Sequence, residues 1–456
     1  MYNEQLMELK KYFETGATKS LEFRKQQLML LKKAIKKYEL EIAEALYKDL
    51  KKSPEESYAT EIGLVINEIN YAIKNLSGWM HPQKVPTNLL NLPSSSKIYK
   101  DALGVVLIIA PWNYPFQLLF APLIGAMAGG NCVVLKPSEF AVETCAIAAK
   151  ICREIFDENY VLLVQGDGEV VVKTMLQSFI FNHVFYTGSI GVGKIIYAMA
   201  AENLVPVTLE LGGKSPCVVE FDANIKVAAQ RIAMGKFVNV GQTCIAPDYV
   251  LVHASVKDEL VKEMKIAIEK FYTNDASSSY DYGKIINQKR FDKLLSYLKD
   301  GTIVFGGNHD KETLFIAPTL LENVSLQSPM MQEEIFGPLL PIIVYETREA
   351  ALQIIEHHKN PLAFYLFTTN KKSEIFWMDA LPFGGGCINN TIYQFANNNL
   401  PFGGVGNSGL GAYHGKFSFD IFTRNKPVLK TPNWFNPSVK YPSFKGKLKL
   451  FRWMFE

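Results

Sequence analysis

From residue 102 to residue 135 the chain carries no charged side chain. A stretch of that length is long enough to span a bilayer, but Pro111, Pro115 and Pro122, the polar Asn113 and Gln117, and the Gly129-Gly130 pair punctuate it. It divides into strand, loop, helix, turn and strand. Residues 103–110 and 132–135 are continuous apolar runs of strand length, as expected of parallel strands covered on both faces. Residues 116–128 supply the crossover helix that two parallel strands require. The chain is therefore expected to be an α/β protein.

At 456 residues it can bury two or three cores. Apolar residues at 48% against 20% charged exclude a disordered chain, and a net charge of +3 gives no strong global field. The charge is uneven: residues 430–456 hold six basic residues against the single acid Glu456, so the tail is basic and the body mildly acidic. Cys132, Cys145, Cys152, Cys217, Cys244 and Cys387 form no C-x-x-C pair, which fits reduced thiols better than a disulfide or zinc framework. The seven histidines show no metal-ligand spacing; His357-His358 reads as a helix end and His414 as a packed residue in a glycine-rich loop. The amino-terminal run Met1-Tyr2-Asn3-Glu4-Gln5 lacks the basic start and apolar core of a signal peptide, so a cytoplasmic protein is expected.

Up to about Trp79, apolar residues at helical spacing (Leu28, Leu31, Ile35, Tyr38) alternate with lysines and glutamates, and Pro82 and Pro86 then break the pattern. An amino-terminal helical layer with one solvated, charged face follows. From Gly104 to about Pro206, strand-like runs at 161–164 and 179–186 alternate with helical ones at 143–156 and 192–201, the pattern of a doubly wound sheet. A second α/β half begins after Thr208 and reaches about Phe383, with helices expected over 226–237 and 258–271. There are no repeats.

Two residues carry chemistry: Cys244 in Gly241-Gln242-Thr243-Cys244-Ile245-Ala246-Pro247, and Glu210 in Leu209-Glu210-Leu211-Gly212-Gly213-Lys214. A thiol among small, flexible neighbours can be approached by a substrate carbon while its own N–H faces the same point, as covalent acyl chemistry requires. Alone, such a cysteine is more often a small buried hydrophobe, and Glu210 is equally a strand-end residue with Lys214 as a ready partner. The turn Gly188-Ser189-Ile190-Gly191-Val192-Gly193 follows an apolar run and opens a helix, where a pyrophosphate can sit; it also suits a plain helix start. Lys136 and Glu139 lie just past a buried strand, either as ligand groups or as a surface pair. Asn113, in Pro111-Trp112-Asn113-Tyr114-Pro115, fits turn chemistry as well as a site.

The Cys244 and Glu210 segments resemble the cysteine and glutamic acid signatures of the aldehyde dehydrogenase superfamily. Residues 111–115, Lys136-Pro137-Ser138-Glu139, Glu334-Ile335-Phe336-Gly337-Pro338 and Pro401-Phe402-Gly403-Gly404-Val405-Gly406-Asn407-Ser408-Gly409 are similar to its other landmarks, in the same order. Residues 405–419, with Tyr413-His414-Gly415-Lys416, look most like its short class 3 branch, which includes fatty and aromatic aldehyde dehydrogenases.

This resemblance implies two doubly wound α/β domains plus a β oligomerisation arm. The NAD(P)-binding domain would take residues 1–82 and 103–207, the catalytic domain 208–385, the arm 83–102 and 386–430, and a basic and aromatic tail 431–456. It implies Cys244 as nucleophile, Glu210 as water-activating base, and the Asn113 amide as oxyanion donor. For NAD, with NADP possible, it implies Lys136 and Glu139 at the adenosine ribose, Gly188, Ser189 and Gly193 at phosphate, and Glu334 with Phe336 at the nicotinamide ribose. Trp112, Tyr114 and Tyr393 would wall the passage of an apolar aldehyde, and the assembly would be a homodimer. An acylating or acyl-reducing dehydrogenase of the same fold is an alternative that Glu210 disfavours; a non-catalytic binding or scaffold protein is another. The tail can lie on an anionic membrane surface or pack onto the body or a partner subunit. No RNA-binding signature accompanies its basic residues, and nucleic acid is not an expected partner.

Overall fold

The structure, a computed structural model, describes residues 2–455. Met1, at the head of the stretch read as lacking a signal peptide, and Glu456, the tail's single acid, lie outside the described residues.

The amino-terminal layer comprises the helices Asn3–Glu14, Leu21–Lys37, Glu39–Leu50 and Gly63–Met80. Leu28, Leu31 and Ile35 share one face of Leu21–Lys37 and are fully buried, while Ser20 caps its start by accepting the Phe23 N–H. This layer packs on the helix Gln117–Gly129, every residue of which is buried, as its lack of any polar face requires.

That helix crosses between the strands Val105–Ile109 and Cys132–Lys136 of a six-stranded sheet. Val161–Leu163 flanks them on one side; His183–Thr187 and Val207–Glu210 follow on the other, all parallel. The strand order reverses at Val105–Ile109, so a crevice opens beyond the carboxyl ends of Val105–Ile109 and His183–Thr187. The uncharged stretch is thus the centre of a sheet. The apolar run from Phe179 joins the sheet only at His183, because Phe179 ends the helix Gly168–Ser178 and stacks edge-on against Phe181 in the core.

A second sheet has seven strands in the order Thr302–Phe305, Thr319–Glu322, Leu339–Tyr345, Tyr249–His253, Pro216–Val219, Ala363–Phe367 and Gly385–Ile388. All run parallel except the first. The helices expected at 143–156, 192–201, 226–237 and 258–271 are Val142–Ile155, Ile190–Ala201, Ile225–Phe237 and Lys257–Tyr272. Each sheet has its own apolar core, and Phe402 packs against both.

A third, antiparallel sheet joins Gln83–Val85, Ser95–Ala102 and Thr423–Lys430. Of residues 386–430, the stretch expected to form most of an arm, only Thr423–Lys430 lies in this sheet. Gly385–Ile388 extends the second sheet, Gly409–Leu410 pairs antiparallel with Val207–Glu210 of the first, and Gly415–Ile421 packs on Gln117–Gly129. Apolar contacts decide this: Tyr413, Phe419 and Phe422 are buried in the first core. The tail ends in the helix Leu448–Phe455, which rests on the turn Leu89–Asn91. Among the described residues, no helix is long and apolar enough to cross a membrane.

Candidate active site

Cys244 is presented by an irregular loop. The helix Ile225–Phe237 runs into the turn Val238–Gly241, where Asn239 and Val240 are left-handed, with φ of 52° and 56°. Gly241 follows at φ 72°, and a Cβ there would lie 2.3 Å from the Gly337 carbonyl oxygen, so only glycine fits. Gln242 then locks the loop: its side-chain amide donates to the Lys284 carbonyl (3.0 Å) and its side-chain oxygen accepts from the Ile286 N–H (3.0 Å). Strain held by such a network is characteristic of functional sites.

Beyond this loop two cavities meet. The larger, about 650 Å³, is the crevice between the sheets and is lined by Trp112, Asn113, Gly188, Ser189, Glu210, Glu334 and Phe336 among others. The smaller, about 160 Å³, is lined by Tyr114, Leu118, Met234, Tyr393, Phe395, Phe402, Tyr413 and His414 with their neighbours. Cys244 lines both, and among the described residues no other does. Burial and the Glu334 and Glu210 carboxylates push its thiol pKa up, whereas its own N–H and that of Ile245 favour the thiolate.

Glu210 ends the strand Val207–Glu210, and its carbonyl accepts the Gly188 N–H at 2.9 Å. Both carboxylate oxygens are buried without a hydrogen-bond partner, and burial raises the pKa well above the usual carboxylate range. Lys214 is not its partner. The lysine instead reaches Asp248 and the carbonyls of Met330 and Glu333 (2.9 Å each). An unpartnered buried carboxylate is costly, and that cost is characteristic of a working group rather than of a strand end.

Asn113 directs one amide N–H to the Gln242 carbonyl (3.0 Å), leaving the second free. Trp112 points into the larger crevice and meets Phe336 edge-on, with centroids 5.4 Å apart. Tyr114 points the other way, into the smaller cavity, and shares a 2.6 Å hydrogen bond with Thr243. Successive residues of one loop thus serve different cavities, and Trp112 is separated from Tyr114 and Tyr393.

The crevice fits a dinucleotide in size and chemistry. Ser189 caps the helix Ile190–Ala201, whose first N–H groups open toward it, and the buried Thr187 hydroxyl beneath has no partner. Gly193 lies inside that helix, where a Cβ would meet Leu211 at 2.6 Å; it allows close packing and does not line the crevice. Glu334 lies against Gly212, and burial followed by Asp248 raises its pKa to about 8. Lys136 and Glu139 are outside the crevice lining; they pair at 3.2 Å, and Glu139 also accepts the Gly168 N–H (3.1 Å).

Sequence reasoning missed a basic rim of Arg290, Lys293, His357, His358 and Lys359. Arg290 donates to the carbonyls of Ile335 (2.8 Å) and Phe336 (3.2 Å), holding Phe336 in its left-handed conformation. His357-His358 does follow a helix, Arg348–Glu356. His414 is packed as read, stacked on Phe402, but it also lines the smaller cavity.

A family model for the aldehyde dehydrogenase family matches residues 3–428. The chain is 47% identical to the 4,4'-diaponeurosporen-aldehyde dehydrogenase of Staphylococcus aureus over 455 residues, 99% of either chain. It is 42% identical to aldehyde dehydrogenase family 3 member A2 of Rattus norvegicus over 425 residues, 93% of this chain and 87% of that one. Among solved structures, the substrate-bound state of Staphylococcus aureus AldH aligns with a TM-score of 0.98 at 46% identity, covering 100% of both chains.

Proposed function

Because the chain belongs to the aldehyde dehydrogenase family, we propose that it oxidises apolar aldehydes to carboxylic acids through a thioester on Cys244, with a nicotinamide dinucleotide as oxidant. The observation that supports this reading is that Cys244, alone among the described residues, lines both the polar crevice and the aromatic cavity. The aromatic cavity would admit the aldehyde and the crevice would hold the dinucleotide. Gly188 and Ser189 would hold the pyrophosphate, Glu334 with Phe336 the nicotinamide ribose, and Lys136 with Glu139, which lie outside the crevice lining, the adenosine ribose.

The Cys244 thiolate attacks the carbonyl carbon, and the free Asn113 amide N–H with the Cys244 N–H stabilises the alkoxide that forms. The nicotinamide, when bound, supplies the acceptor for the hydride that leaves this carbon. Glu210 then takes a proton from water as the water attacks the thioester, which releases the acid and the Cys244 thiolate, and Glu210 passes its proton to solvent. A thiol acceptor would not require that base, so hydrolysis is favoured over transfer to coenzyme A.

The cavity lining favours aliphatic or aromatic aldehydes over polar ones, and Glu139 at the adenosine ribose would disfavour a 2′-phosphate, which makes NAD the preferred cofactor. In a matrix of short-chain, long-chain and aromatic aldehydes against NAD and NADP, kcat/KM is expected to be highest for an apolar aldehyde with NAD, and Glu139→Gln to narrow the gap to NADP. Equal rates with short polar aldehydes, or a preference for NADP, would remove these assignments.

A homodimer fits the free edges of Thr423–Lys430 and Gly385–Ile388, which end the arm and the second sheet and offer unpaired backbone groups. A dimer mass in sedimentation is expected. The tail helix Leu448–Phe455 exposes Leu448, Leu450, Trp453 and Phe455 beside Lys445, Lys447, Lys449 and Arg452, the pattern of a helix lying on an anionic membrane, where each basic residue contributes about 1 kcal/mol. The intact chain is expected to bind anionic vesicles in a salt-sensitive way, and a chain ending at Lys430 to lose that binding. Equal binding by the two would exclude the tail.

A further inference from the structure

We infer that the buried Lys52–Glu61 ion pair is a positioning device for the amide of Asn113, holding the loop at residues 113–117 so that this amide faces Cys244. The inference rests on the oxyanion role proposed for Asn113.

Lys52 and Glu61 come from the amino-terminal layer and are fully buried, with Nζ and Oε1 2.5 Å apart. A pair withdrawn from water to this degree adds little to stability compared with apolar side chains of the same volume. Its remaining hydrogen bonds all end on one loop. Lys52 Nζ donates to the Asn113 carbonyl at 3.2 Å and sits 4.1 Å above the Tyr114 ring. Glu61 Oε2 accepts the N–H groups of Phe116 (2.8 Å) and Gln117 (3.2 Å), at the entry to the helix Gln117–Gly129.

The Asn113 carbonyl is gripped from a second direction as well. Asn239, held left-handed in the turn before Cys244, donates its side-chain amide to the carbonyls of Asn113 (2.8 Å) and Gln242 (3.2 Å). The Asn113 side chain returns a hydrogen bond to that same Gln242 carbonyl. Any rotation of the Asn113 peptide would therefore break these hydrogen bonds together.

Glu61 lies in a π-helical turn, Tyr58–Ile62. Such turns are uncommon and concentrate at functional sites. Here Ala59 and Thr60 line the smaller cavity while Glu61 faces the anchor. Neither Lys52 nor Glu61 lines the crevice or the aromatic cavity, where dinucleotide and aldehyde would sit; both act through the loop.

The test is a double-mutant cycle on the full-length enzyme with saturating NAD, read as the rate of the first NADH turnover after rapid mixing. Asn113→Ala alone is expected to slow that phase by about 100-fold or more. Lys52→Met is expected to slow it by about 10- to 100-fold with NADH affinity unchanged, and to add less than about threefold when Asn113 is already alanine, because groups acting as a unit are not additive. Should Lys52→Met fail to fold, Glu61→Gln, which keeps the volume and loses the charge, is put through the same cycle. Losses that multiply in the double variant would overturn the inference and leave the Asn113 role standing. A normal first turnover in Asn113→Ala would overturn both.

Discussion

Glu210→Gln is expected to release a rapid burst of about one NADH per active site and then turn over roughly 10²- to 10⁴-fold more slowly than the parent. In the proposed mechanism the burst survives because thiol attack and hydride loss depend on Cys244 and Asn113, whereas water activation depends on the carboxylate. Glutamine has the same size and no basic oxygen, and the Glu210 carboxylate forms no hydrogen bond or ion pair that its loss could disrupt. The pH dependence distinguishes a base from a merely polar group. Burial favours the protonated acid, so Glu210 loses its proton only above the ordinary carboxylate range. As a base it works when deprotonated, so the slow phase of the parent should rise with pH through that raised pKa. In the glutamine variant that dependence should vanish. Full steady-state activity in Glu210→Gln would end its assignment as base.

Asn113→Ala should lower kcat/KM by about 10²- to 10³-fold, or roughly 3 to 4 kcal/mol, with little change in affinity for NADH. The expected effect is large because, in the proposed role, the amide stabilises charge that exists only after sulfur has attacked the carbonyl. Affinity for the dinucleotide is spared because the crevice is built mainly by other residues, such as Gly188, Ser189, Glu334 and Phe336. Stopped-flow turnover together with fluorescence titration of NADH separates the two. A loss confined to NADH affinity would make Asn113 a cofactor contact instead.

The parts of this molecule that the sequence disclosed are those with a local cause. Parallel strands buried on both faces must be apolar without interruption, so Val105–Ile109 and Cys132–Lys136 stood out, as did the helix between them. Glu210 and Cys244 were legible because glycines frame each and because the surrounding segments resemble known signatures. What stayed hidden depends on long-range contact. Lys214, four residues after Glu210, turns instead to Asp248, and no local pattern predicts that choice. Lys52 and Glu61 sit among charged residues of helical spacing and read as solvated, yet they form the most deeply buried ion pair described. The aromatic cavity gathers Tyr114, Met234, Phe395, Phe402 and Tyr413 from segments remote in sequence, and Trp112 parts from Tyr114 only because the loop turns between them.

The central claim is that the sulfur of Cys244 carries the acyl group. It is tested most directly by acid-quenching Glu210→Gln during its burst with NAD and a long-chain aldehyde, and weighing the peptide that contains residue 244. The account predicts that peptide heavier by the acyl group of the aldehyde, in proportion to the NADH released, with the added mass lost on treatment with hydroxylamine. An unmodified Cys244 peptide accompanying a full burst would contradict it.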